Sequence, residues 1–193
     1  MHSILNRADF FIKEHVGMFK AANNYDILDP KTEEILIECR EDLGFITKIL
    51  RFTDFKRMTP FNIILRTTDG QQVLRISRGV SIFLSKVDVF DENDQHVGGF
   101  QQKFFSIGGK FSVLDSSERP VCVLQGKWTS WDFKFMKDEQ ELAHVSKEFA
   151  GFAKELFTSA DNYMLTMKRV AEDDPTRILI LAAVMCIDMV LKE

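Results

Sequence analysis

Apolar and polar residues alternate along most of this chain, and polar turns interrupt the alternation at a regular rhythm. The segment FNIILRTTDGQQVLRIS shows the unit in full: an alternating apolar run, a turn at Asp69-Gly70, and a second apolar run. Asp-Gly between two such runs is a strong hairpin signal, because both residues tolerate the positive φ of a tight turn. The unit recurs as LSKVDVFDENDQHVGGF around Asp91 to Asp94, as KFSVLDSSERPVCVLQG around Asp115, and as FKFMKDEQELAHVSKEF around Asp138. From Asp69 the leading acids fall 22, 24 and 23 residues apart. An earlier copy runs from Tyr25 to Leu28, turns through Asp29-Pro30-Lys31-Thr32-Glu33, and returns with Ile35, Ile37 and Cys39 alternating against Leu36, Glu38 and Arg40. Phe10 to Phe19 reads as a first strand and Asn162 to Met167 as a last one, with Gly151 to Phe157 linking the fifth hairpin to it. Five hairpins in series with a strand at each end predict about twelve antiparallel strands, and closing them into a barrel removes the exposed edges.

The rhythm stops at Ile178 to Leu191, ILILAAVMCIDMVL, where every residue except Asp188 is apolar. A helix without a polar face is enclosed by protein or spans a bilayer. At 1.5 Å per residue this run is roughly 21 Å long, short of the ~20 apolar residues that a membrane span needs and close to the length of a six-residue strand. Asp173, Asp174, Pro175 and Thr176 supply a helix start: carboxylates at the positive end and proline in the first turn. The expectation is a central helix over 175–191, sheathed by the strands. Between the first and second hairpins, Leu43, Ile46, Ile49, Leu50 and Phe52 recur at helical spacing and predict a short amphipathic helix over 44–55. Its polar side carries Lys48 and Arg51, with Lys56 and Arg57 following. A solvated face is the expected role of that basic side.

Composition refines this picture without changing it. The 193 residues admit one domain or at most two, and 18 Phe against 4 Pro suit a packed β-rich core. A net charge of −4 gives no chain-level attraction to nucleic acid or to an anionic membrane, which leaves only local basic patches for such a partner. Cys39, Cys122 and Cys186 are odd in number and form no CxxC pair, so they read as buried thiols in a reducing compartment. MHSILNRADFF holds no apolar signal core, and a cytoplasmic location follows as the expectation.

The last fifty residues carry a resemblance. Ser146, Lys147, Phe149 and Gly151, then Ala160-Asp161-Asn162-Tyr163, then the closing helix with Ile187-Asp188 are similar to the end of the phospholipid scramblase family. Upstream, YDILDPKTEEIL, FNIILRTTDGQQVL and VGGFQQKF resemble that family's hairpins. The resemblance covers the chain from about Tyr25. It implies a single domain over 1–193 with the tubby-like fold shared with LURP-one-related proteins: twelve strands around a central hydrophobic helix. Arg78-Gly79-Val80-Ser81-Ile82 stands where animal members carry a Cys-rich run, so no palmitoyl anchor is expected there.

Candidate chemistry follows from the same residues. By resemblance, Asp161 and Asn162 with Asp173 and Asp174 form a candidate calcium set, although Ser159 replaces the first acid and calcium prefers six to eight oxygens. Asp188 is a buried polar residue in an apolar helix and needs a hydrogen-bond partner. Lys103, Lys110, Lys127 and Lys134, with Trp128 and Trp131, make a candidate lipid-binding set, and Lys137 lies beside it. His2, His15, His96 and His144 show no metal-ligand spacing, and no nucleophile or phosphate-loop motif is present, so no enzymatic activity is expected. Gly98-Gly99 and Gly108-Gly109 read as bulges or turns. The functional expectation is a scramblase-related, non-enzymatic protein that associates with anionic phospholipid at a cytoplasmic membrane face without moving lipid across it. The alternative is a soluble barrel acting as an adaptor for a protein partner or a small ligand.

Overall fold

A computed structural model of the chain describes residues 1–15, 24–42, 60–79, 86–101, 111–127, 132–147 and 162–191, the side chains of 101, 127 and 187–191 excepted. Within these residues the predicted rhythm becomes a closed antiparallel barrel of twelve strands in sequence order. The strands are β1 (Asp9–Glu14), β2 (Tyr25–Leu28), β3 (Ile35–Glu41), β4 (Phe61–Thr67), β5 (Gln72–Arg78), β6 (Lys86–Phe90), β7 (His96–Gln101), β8 (Phe111–Asp115), β9 (Pro120–Lys127), β10 (Asp132–Lys137), β11 (Gln140–Ser146) and β12 (Tyr163–Met167). Closure comes from the pairing of β1 with β12, Asp9 opposite Thr166 and Ile12 opposite Tyr163. The first strand ends at Glu14, short of the Phe10 to Phe19 that the alternation predicts, and 16–19 lie outside the described residues. The helix expected over 44–55 also lies outside them.

Each hairpin turns at the same end of the barrel, and each carries a register shift just before its turn. The shift adds twist, which a closed barrel requires. Asp91 and Asp115 organise two of these turns alike. Asp91 Oδ1 accepts from the N–H groups of Asn93 at 2.8 Å and Gln95 at 2.9 Å, and Asp115 Oδ1 accepts from Ser117 at 2.8 Å and Arg119 at 3.0 Å. In the second hairpin the equivalent position belongs to Thr67, whose Oγ1 accepts from Gln71 N–H at 3.1 Å, and not to Asp69. The anchors Thr67, Asp91 and Asp115 are therefore 24 residues apart in both steps. The residue three places after each anchor, Gly70, Asp94 or Glu118, takes the positive φ.

The barrel interior is apolar and filled. Phe61, Ile63 and Leu65 of β4, Val87 and Val89 of β6, and Phe133 and Phe135 of β10 point inward at every second position. Helix α1 (Thr176–Leu191) enters from the turn end. Its residues Ile178 to Cys186 are consecutive and all buried. Nine such residues pass through every angular position of the helix, so strands enclose it on all sides. It meets β5, β6, β7, β8 and β12. The observed start, Thr176, is one residue after the expected Pro175. Asp174 caps it, its Oδ1 accepting from Thr176 N–H at 2.8 Å.

Candidate functional site

An up-and-down barrel has two chemically distinct ends. The five hairpin turns, the chain's first eight residues and the entry of α1 share one end, here the turn end. The opposite ends of the strands, at Glu14, Tyr25, Glu41, Phe61, Arg78, Lys86, Asp132, Ser146 and Tyr163 among others, make up the other.

Arg177 holds the turn end together. It is 5 % exposed, and its guanidinium donates to four backbone carbonyls: Ala171 at 2.9 Å, Leu5 at 2.9 Å, Arg7 at 3.0 Å and Val170 at 3.0 Å. Burial pushes its pKa down, while Glu172 and Asp174 act in the opposite direction. The rigid fork of a guanidinium suits carbonyls converging from two separate segments. Nearby, Asn6 and Asp173 bond reciprocally: Asp173 N–H donates to Asn6 Oδ1 at 3.0 Å, and Asn6 Nδ2 donates to Asp173 Oδ1 at 3.3 Å. Arg7 pairs with Asp29, whose carboxyl is held below its ordinary range, first by the N–H groups of Lys31 and Thr32 and then by Arg7.

Beside this seal, a cleft of about 290 Å³ opens between the tip of the β10–β11 hairpin and the segment joining β12 to α1. Val121, Leu142 and Val170 form its apolar floor. Lys137, Asp138 and Gln140 stand on the hairpin side, and Arg169, Asp174 and Thr176 on the other. Each wall thus carries one cation and one carboxylate.

The residues singled out from sequence do not gather in one place. Asn162 is buried just before β12, and its Oδ1 accepts from Glu14 N–H at 3.3 Å. Asp173 and Asp174 follow β12 at the turn end. Five strand residues separate the two groups, about 16 Å at the usual rise per residue, so Asn162 cannot share a calcium ion with either acid. Asp161 lies outside the described residues. Among the described residues no group of three or more His, Cys, Asp or Glu is placed to hold a metal ion. Lys134 stands on the outer face of β10 and pairs with Glu141 at 3.4 Å, and Lys168 reaches the same carboxylate at 2.5 Å. Burial works against ionisation of Glu141, yet Lys168 and Lys134 together hold its pKa below the ordinary value. Lys103, Lys110, Trp128 and Trp131 lie outside the described residues, as does the side chain of Lys127 at the end of β9. Asp188 lies in the last turns of α1, and its side chain is likewise outside them. Arg169, Gln140 and Arg177 carried no sequence signal beyond one: Arg177 is a charge at the head of an otherwise apolar helix.

At the far end of α1, Glu41 and Arg78 are buried near the Cys186 thiol. Burial pushes that thiol up to about 12, with Arg78 lowering it and Glu41 raising it. Arg78 also stacks 4.7 Å above the Phe61 ring.

A family model described as Scramblase matches residues 4–193. No solved structure matches the chain.

Proposed function

The chain belongs to the scramblase family, and from that premise we propose a non-enzymatic protein that associates with phospholipid at a cytoplasmic membrane face. The observation that carries this reading is the family match over residues 4–193. The distribution of polarity supports surface association over spanning. Glu38, Arg40, Arg75, Asp88, Lys134 and His144 stand on the outer wall, most of them in ion pairs. Apart from Glu41 and Arg78 at one end, the described interior is apolar and occupied by α1. A membrane-spanning barrel needs the reverse, an apolar outer band around a polar lumen. No helix among the described residues is long and apolar enough to cross a membrane. Drawing α1 out of the barrel would expose nine consecutive buried side chains to water.

Co-sedimentation with vesicles of graded anionic content tests the reading, with calcium or chelator present and across a salt series. The expected result is binding that rises with anionic lipid, weakens with salt, and does not change with chelator. No sedimentation under any condition overturns it and leaves a soluble adaptor barrel.

A further inference from the structure

The cleft at the turn end is lined by charges that do not satisfy one another. Lys137 and Asp138 on one wall and Arg169 on the other take part in no side-chain hydrogen bond or ion pair among the described residues, although both signs face the same space. Elsewhere on the barrel, Arg75 holds Asp94 at 2.8 Å, Lys86 holds Glu118 at 2.9 Å, and Arg119 holds Asp115 at 2.8 Å. Asp174, whose Oδ1 accepts from the Thr176 N–H, lines the cleft beside Arg169. Two cations and two carboxylates make the lining neutral, which disfavours a bare anion or a bare cation. A guest with both signs could meet each wall with its complement.

We infer that this cleft binds a small zwitterion in which a phosphate and a primary ammonium are separated by a short linker. The phosphate sits between Lys137 and Arg169, where charge-assisted hydrogen bonds to a guanidinium and an ammonium are strongest. The ammonium sits between Asp138 and Asp174, with the Gln140 amide completing the polar lining. The apolar floor of Val121, Leu142 and Val170 accommodates the methylene linker. Free phosphoethanolamine and the headgroup of an aminophospholipid share this chemistry. The lipid form rests on the phospholipid reading above, whereas the soluble form does not.

Soluble O-phosphoethanolamine is titrated into the full chain while the backbone amides of Gln140, Arg169 and Thr176 are followed by NMR. Inorganic phosphate and ethanolamine serve as separate controls. The expected result is saturable shifts at these amides, with each control binding at least about tenfold more weakly. Lys137→Gln and Arg169→Gln change exposed side chains with no side-chain partner among the described residues, so the fold is expected to persist. Each should weaken phosphoethanolamine by about tenfold. Asp138→Asn should weaken phosphoethanolamine while leaving phosphate unaffected or tighter. A parallel arm measures sedimentation of the same variants with phosphatidylethanolamine vesicles. Loss in both arms identifies the lipid headgroup as the source, and loss in the soluble arm alone identifies a free metabolite. Absence of shifts at millimolar ligand, or equal shifts with phosphate alone, overturns the zwitterion site. Vesicle binding that survives this outcome leaves the general phospholipid reading intact.

Discussion

At the scale of single residues, the barrel depends on positions where a side chain has no room. Gly98 has φ +143°, and a Cβ there would stand 2.1 Å from the Leu114 carbonyl oxygen. Gly99 is similarly placed against the Val87 carbonyl oxygen at 2.0 Å, whereas a Cβ on Gly79 would meet nothing within 4 Å. Gly98→Ala is therefore expected to cost about 1–3 kcal/mol through backbone conformation, with the clash added. Gly79→Ala should stay within about 0.5 kcal/mol of the parent. Urea midpoints of the two variants test this, and equal midpoints would refute the close packing of β7 between its neighbours. The Gly98-Gly99 pair reads in the sequence as a bulge or a turn, and in the fold it lies within β7 beside a register shift between Val89 and Phe90. Arg177 was not legible in the same way. Two of its four carbonyl partners, on Leu5 and Arg7, lie some 170 residues away, which no periodicity of side chains reports.

At the scale of elements, the hairpins were legible because each combines an alternating run with a turn residue that can hydrogen-bond its own backbone. What the side-chain types concealed was equivalence. Thr67 takes the place that Asp91 and Asp115 hold, since a hydroxyl accepts the same N–H, and Asp69 merely follows it. The fifth hairpin uses a different solution, with positive φ at both Asp138 and Glu139, the geometry of a two-residue type I′ turn. The acids of the turns also determine a response to pH. Asp115 is held below its ordinary range chiefly by the Arg119 N–H, Asp94 by the Arg75 side chain, and Glu118 by Lys86. A carboxyl whose folded pKa lies below its unfolded pKa stabilises the fold above the unfolded value. That contribution disappears as pH falls through the folded one. The urea midpoint is thus expected to hold from neutrality to mild acid and to drop below about pH 4. Asp115→Asn should lower the midpoint at neutral pH and flatten the acid decline; an unchanged acid profile would count against these turn bonds.

At the scale of the whole molecule, a closed barrel with a central helix was legible because the strand rhythm and the faceless helix point to one arrangement. The site was not. Loops that are neighbours in sequence go to opposite ends of the barrel, so Asn162 and Asp173, eleven residues apart, became a candidate pair that β12 separates. Enclosure has a chemical signature too. Cys39, Cys122 and Cys186 are buried, and burial pushes the thiols of Cys122 and Cys186 up to about 12. A disulfide exchange reagent should therefore react slowly with the native protein and release three equivalents on unfolding. Fast native labelling would show that the wall opens. The seam between β1 and β12 has a further consequence, in time rather than in space. Asp9 and Thr166 pair across 157 residues, and the helix that fills the barrel is made after every strand. During synthesis, β1 and β2 emerge with an open edge, and neither the partner that closes it nor the filling that dries the interior yet exists. Contacts of such sequence separation form slowly. Until Thr176 to Leu191 leave the ribosome, the strands lack the helix that fills them, so the final packing of the barrel waits on that helix.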